Sequence, residues 1–132
     1  MVTDRIGDFI IRLQNAAMIG KREVVAPYSK HLLSIAQKLK DLGYISDVAV
    51  KGDTEAKKEV TMTLVYTERG AAKLRGVKRI SKPGRRLYVP HTEAHSVKGG
   101  TGSRIISSSV GVLTDSEARK QKVGGENLFE IW

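Results

Sequence analysis

The sequence predicts an α+β protein of two small domains, and three observations carry the prediction. Two stretches of the first half place apolar residues at helical spacing between a cap and a stop. A run from Glu59 to Tyr66 sets Val60, Met62, Leu64 and Tyr66 alternately with Thr61, Thr63 and Val65, the period of a sheet with one buried face. The second half holds short strand-like segments between glycines and prolines, with a single strong helix-start signal. Residues 1–66 are therefore expected as two helices plus three strands. Residues 67–132 are expected as a mostly β half with one short helix.

Taken in order, Thr3-Asp4 reads as an N-cap. Ile6, Phe9, Ile10, Leu13 and Ala17 follow as the buried stripe of a helix that Gly20 ends. Asp4 and Asp8 suit the positive end of its dipole. Arg5, Arg12 and Asn15 lie off the stripe, as a solvated face does. Glu23–Ala26 is a short strand ended by Pro27. Ser29 caps a second helix with Leu32, Ile35, Ala36, Leu39 and Leu42 inward, closed by Gly43. Tyr44–Val50 and Glu59–Tyr66 are strands about a turn at Gly52-Asp53. The domain boundary is expected in the polar, basic connection from Arg69-Gly70 to Gly76, with the domains divided as residues 1–66 and 67–132.

In the second half Pro83-Gly84 marks a type II turn between two short strands, a hairpin carrying Arg79, Lys82, Arg85 and Arg86. Residues 90–100 read as loop with room for one helical turn. Arg104–Ser109 is the central strand, and Thr114 with Glu117 forms a capping box that starts a helix from Asp115 to about Gln121. Gly124-Gly125 is a turn, and Asn127–Trp132 a closing strand.

Composition narrows the function. At 132 residues and 40% hydrophobic, the chain can bury a real core. It has no cysteine, which excludes disulfides and cysteine-ligated zinc. No apolar run approaches the roughly 18 residues of a membrane span and no signal peptide opens the chain, so a cytoplasmic protein is expected. The net charge of +9 is uneven. Residues 1–66 hold 10 basic and 8 acidic residues, and residues 67–132 hold 13 and 6. Between Arg69 and Thr92 there are eight basic residues and no acid. Such a patch suits a polyanion: nucleic acid first, an anionic membrane surface second.

Catalytic readings fail at particular positions. A Ser/His/Asp set can be written from Ser109, His91 or His95, and Asp115, but Ser107 stands where a nucleophile elbow needs its first glycine. The sequence starting at Gly100-Thr101-Gly102 reaches Ile105 where a dinucleotide motif needs glycine. His91-Thr92-Glu93-Ala94-His95 reads as solvated side chains of a polar loop. No catalytic residue, metal or cofactor is expected.

RNA fits the remaining features. Ser107, Ser108 and Ser109 both donate and accept hydrogen bonds, matching a ribose 2′-OH, a phosphate or a base edge. Gly111 lets backbone approach a ligand. Tyr88, after Arg85-Arg86, is placed to stack on an unpaired base. Arg79, Lys82, Arg85 and Arg86 supply salt-dependent affinity. Each has a plainer alternative: Tyr88 as core, Gly111 as relief of a bulge, the serines as a bare strand end. The residues by themselves lead to a basic α+β protein that binds RNA.

The motifs go further. Ser107-Ser108-Ser109-Val110-Gly111-Val112-Leu113-Thr114, followed by Ala118-Arg119, resembles the signature of the bacterial ribosomal protein S-eight family, the eighth protein of the small subunit. Arg79-Ile80-Ser81-Lys82-Pro83-Gly84 with Arg86 and Tyr88, Pro27 with Ser29-Lys30, Asp4 with Asp8, Arg12 and Asn15, and Gly124-Gly125-Glu126 support the match along the whole chain. Ser108 stands where threonine is usual, Gln14 where arginine is common and Phe129 where a cysteine is common.

The resemblance implies a structural protein bound directly to an irregular helix in the central domain of small-subunit ribosomal RNA. It implies early assembly, neighbouring small-subunit proteins as partners and, for some members, repression through their own messenger RNA; the alternative is a basic RNA- or DNA-binding module acting outside the ribosome, such as a translational repressor. The hydroxyl triplet and Gly124-Gly125-Glu126 would approach the distorted core of that helix, while Ser29 and Lys30 would touch a second RNA segment.

Overall fold

The fold is taken from a computed structural model that describes residues 5–54, 57–95, 97 and 102–132. Contacts group Asp8–Arg75 into one compact unit and Gly76–Trp132 into the body of another.

The first unit alternates helices and strands: α1 (Arg5–Ile19), β1 (Glu23–Pro27), α2 (Lys30–Leu42), β2 (Ile45–Lys51) and β3 (Glu59–Leu64). The strands form an antiparallel sheet in the order β1-β3-β2. Local chemistry sets the helix ends. The Ser29 hydroxyl accepts the Leu32 N–H at 3.0 Å and starts α2, while Gly43, at φ +90°, ends it by returning its N–H to the Leu39 and Lys40 carbonyls. Gly20, at φ +75°, follows the last turn of α1. The expected cap at Thr3-Asp4 lies outside the described residues. Phe9, Ile10 and Leu13 of α1, Leu32, Ile35, Ala36 and Leu39 of α2, and Val60, Met62 and Leu64 of β3 are buried, as their spacing requires.

Two details of this unit differ from expectation. Arg12 is exposed but not idle: it pairs with Asp8 at 2.9 Å and donates to the Val25 carbonyl at 2.9 Å. The third strand stops at Leu64, two residues short of Tyr66. The chain then doubles back, with Tyr66 bridged to Ala72, the Lys73 N–H on the Val65 carbonyl and the Tyr66 hydroxyl on the Lys21 carbonyl at 2.6 Å. These bonds tie the segment 67–75 to β3, and the contacts divide the chain after Arg75.

The second unit comprises β4 (Val77–Arg79), β5 (Tyr88–Val89), a 3₁₀ turn (His91–Glu93), β6 (Ser103–Ser108), β7 (Gly111–Thr114), α3 (Asp115–Gln121) and β8 (Gly125–Ile131). Its five-stranded sheet runs β4-β8-β6-β7, with β5 also on β8. The capping box of α3 is present in both directions: the Glu117 N–H donates to the Thr114 hydroxyl oxygen, and the Thr114 N–H to the Glu117 carboxylate, each at 3.2 Å. Ile106, Ala118 and Ala94 pack together on one side of the sheet. The helical part of the first half and the mostly β second half with one short helix make an α+β protein.

Four expectations for this half are corrected. The strands on either side of Pro83-Gly84, β4 and β5, do not pair with each other, and only Lys82 and Arg85 bridge. Arg79 pairs with Phe129 and Tyr88 with Glu126, so both arms lie along β8 and the residues between them form an excursion. Its tip is closed by reciprocal bonds of 2.9 Å between the Lys82 and Arg85 backbones, but Gly84 does not take the positive φ that a type II turn demands, since proline at the second position suits other turns equally well. The serine strand ends at Ser108 rather than Ser109, because Ser109-Val110 is the two-residue turn of a hairpin into β7, a strand hidden in the sequence by its shortness. Finally, Gly124-Gly125 is not a turn. The chain reverses earlier, at Lys122 in the left-handed region, and Gly125 opens β8.

Candidate nucleic-acid interface

Antiparallel pairing carries the hydroxyl motif to the same place as the other features of this half. Tyr88 stands opposite Glu126, Glu126 opposite Ser107, and Ser107 opposite Val112. Directly paired residues share a face, so Tyr88, Glu126 and Ser107 form one row across three strands. Arg79, Phe129 and Ile105 form another row, further along β8 and β6 with β4 in place of β5. At the row's outer side Tyr88 is 70% exposed, an aromatic surface standing in solvent rather than in the core.

The three serines have unequal situations. Ser107 is half-buried within the ladder. Ser108 spends its hydroxyl on the turn: it donates to the Gly111 carbonyl at 2.7 Å and accepts the Val110 N–H at 3.3 Å. Ser109 is in the turn itself and exposed. Gly111 has a φ of +122°, and open space where a Cβ would be. It is needed for the backbone path of the hairpin rather than to relieve a clash.

Gly124 and Gly125 are required from inside the protein. A Cβ on Gly125 would fall 2.2 Å from the Ser107 carbonyl oxygen, and one on Gly124 would fall 2.5 Å from that of Val89. These glycines let the ends of β5, β8 and β6 close up around the row.

Glu126 is held. Its carboxylate accepts from the Ser81 hydroxyl at 2.5 Å and from Arg86 at 3.1 Å. Ser81, fully buried, also accepts the Leu87 N–H at 3.2 Å. The sequence carries it only as a member of the motif Arg79–Gly84 and not as a candidate site residue. The available signal was its place just before Lys82-Pro83-Gly84, together with a lone acid, Glu126, behind two glycines. Lys82, Arg85 and Arg86 are exposed on the excursion, and Arg79 is half-buried on β4. Ser29 and Lys30 belong to the first unit, where Ser29 is the α2 cap and Lys30 is exposed at its start.

The catalytic alternative loses its acid. The Asp115 carboxylate is buried and accepts the Arg104 N–H at 3.1 Å and the Arg119 guanidinium at 3.0 Å. Among the described residues no group of histidines and carboxylates is arranged to hold a metal.

Fold and site together define a basic α+β protein whose second sheet ends in a row of hydroxyl, carboxylate-clamped arginine and exposed aromatic. The sequence matches the family model described as ribosomal protein S8 over residues 4–132. It is 47% identical over 132 residues to small ribosomal subunit protein uS8 of Nitratidesulfovibrio vulgaris, covering all of both chains. It is 43% identical to uS8 of Helicobacter pylori, again over both full lengths, and 42% identical to uS8 of Mycoplasma mobile, over all of this chain and 98% of that one. The chain belongs to the ribosomal protein S8 family. It is accordingly a structural ribosomal protein and not an enzyme, and none of its described helices is long and apolar enough to cross a membrane.

Proposed function

We propose that the chain binds small-subunit ribosomal RNA directly, in the central domain of that RNA, and helps to assemble the subunit alongside neighbouring small-subunit proteins. The row Tyr88–Glu126–Ser107 is the observation that carries this reading, since it sets an exposed aromatic and a hydroxyl on one face with Arg86 clamped beside them. Tyr88 offers a stacking surface for an unpaired base, worth about 1–3 kcal/mol per base. Ser107 and Ser109 offer hydroxyls to ribose 2′-OH groups and base edges. Lys82, Arg85 and Arg86 contribute the phosphate-directed, salt-dependent share of affinity. Within the same proposal, Ser29 and Lys30 touch a second RNA segment. The Ser29 cap uses only an acceptor lone pair, leaving its O–H available to donate.

Recognition of this kind reads shape and displaced bases rather than a regular duplex. The test is binding to a central-domain fragment of small-subunit ribosomal RNA against a scrambled duplex of equal length. Preference for the fragment that survives raised salt is the expected result, and equal affinity for both sinks the proposal.

A further inference from the structure

We infer that Ser81 is a positioning residue for RNA binding: a fully buried hydroxyl that fastens both ends of the basic excursion to the recognition row. This rests on the function proposed above and adds a residue that cannot itself touch RNA.

The geometry is that of a staple. Ser81 follows β4 and Leu87 precedes β5, so the pair marks the two ends of the segment that carries Lys82, Arg85 and Arg86. The Ser81 oxygen accepts the Leu87 N–H at 3.2 Å, closing the base of the excursion. Its proton goes to Glu126 on β8 at 2.5 Å, anchoring the base to the sheet. The Ser81 N–H is shared between the Asn127 and Leu128 carbonyls at 3.1 and 3.3 Å, which fixes the hydroxyl's own position. At the far end the Lys82–Arg85 backbone bonds close the tip. The base closure encloses five residues, Lys82 to Arg86, and only Arg86 lies between the two closures.

Glu126 then has a role that its charge alone would not suggest. An acid in a site for phosphates is repulsive. Here the same carboxylate oxygen accepts from Ser81 and from Arg86, so the acid orients a cation beside Tyr88 instead of facing the ligand free. The side chain of Glu126 is only 18% exposed, against 47% for Arg86. Without the Ser81 hydroxyl, the Leu87 N–H loses its acceptor and the carboxylate keeps Arg86 alone. The excursion would then have to be ordered at the moment of binding, and that ordering is drawn from the affinity.

The experiment compares the full chain with Ser81→Ala, Glu126→Ala and the double variant. Affinity for the central-domain RNA fragment is measured where Trp132 fluorescence shows every protein folded. Ser81→Ala is expected to weaken binding about tenfold, chiefly through faster dissociation, and to speed hydrogen exchange at the Leu87 amide in the RNA-free protein. In the Glu126→Ala background the same change is expected to cost only about threefold, because the Glu126 bond is already gone and only the Leu87 closure remains to be lost. Wild-type affinity in Ser81→Ala, or losses that simply multiply in the double variant, overturns the inference. Should Ser81→Ala fail to fold, Ser81→Cys fills the same space with a weaker donor and carries the same comparison. If the unaltered chain shows no preference for the fragment, it is the proposed function that fails. If it does and Ser81→Ala matches it, only the positioning role fails.

Discussion

The glycine pair at the start of β8 separates two explanations of the site, and Gly125→Ala tests them. One explanation, natural from the sequence, is that Gly125 lets RNA come close. The structure gives another: the added methyl would lie 2.2 Å from the Ser107 carbonyl oxygen, 2.9 Å from its carbon and 3.0 Å from the Ser108 Cα. All three are backbone atoms of β6, a strand held on its other side by β7. No side chain can swing away, so the two strands must part by about 1 Å at the Ser107–Glu126 pair. Overpacking of this kind costs about 1–3 kcal/mol, and each ladder hydrogen bond lost adds about 0.5–1.5 kcal/mol. Together these give about 2–4 kcal/mol, a large share of the roughly 5–15 kcal/mol that keeps a domain folded. For a unit of this size the thermal midpoint should fall by about 10 °C or more.

Urea unfolding of RNA-free protein followed through Trp132 reads this cleanly. It is the only tryptophan, and its backbone exchanges hydrogen bonds of 3.0 and 3.1 Å with Gly76 in the same unit. Gly84→Ala is the control. Its added Cβ meets nothing within 4 Å and its φ is not in the left-handed region, so stability should stay within about 0.5 kcal/mol. An unchanged midpoint in Gly125→Ala, with RNA affinity lost, would refute the packing argument and restore the ligand-approach explanation.

Other consequences are read from the same geometry. Ser108→Ala removes two hydrogen bonds of the hairpin turn and should cost about 1 kcal/mol of stability in RNA-free protein; Ser107→Ala should instead lower RNA affinity by about 1–3 kcal/mol if its hydroxyl meets a desolvated partner, and titration calorimetry with parallel melts distinguishes the two. Lys82→Ala should weaken all RNAs alike and reduce the slope of log affinity against log salt by about one unit, while a slope equal to wild type would show that no phosphate is met there. Burial raises the Tyr44 phenol above its ordinary value. The folded chain therefore keeps that proton when the unfolded chain has lost it, and the associated stability is full below the ordinary phenol range and falls as pH rises through it. Circular dichroism melts should show an alkaline decline that Tyr44→Phe flattens.

How much of this was legible beforehand follows the range of the interactions. Helix ends read well because their chemistry is local: Ser29 to Leu32, Leu39 to Gly43 and Thr114 to Glu117 are three or four residues apart. The alternation in β3 read well because its period is intrinsic to a strand. The partners of β8 were not legible. Nothing near Arg79 or Tyr88 says that both lie along residues 125–131 rather than along each other. The shortness of β7 hid it between a turn and a cap. Ser81 was invisible for the same reason of distance, since its hydroxyl bonds a carboxylate 45 residues away. The pair Gly124-Gly125 was read as a turn, because a sequence shows that a Cβ is missing and not which backbone atoms would have met it.

The same limit bears on the serine triplet. Regular strand geometry through Val112 would have put Ser107 and Ser109 on one face and left Ser108 opposed. The chain instead leaves the strand after Ser108, one residue before the expected end at Ser109, and Ser108 spends its hydroxyl holding the departure in place. Ser107 and Ser109 are thus presented by different means: one by the ladder beside Glu126, the other by a turn that Ser108 and Gly111 define. A turn so fixed costs little ordering when a ligand arrives. The triplet is better regarded as two presented hydroxyls and one fastener, and threonine at the fastener's position would retain the hydroxyl on which the turn depends.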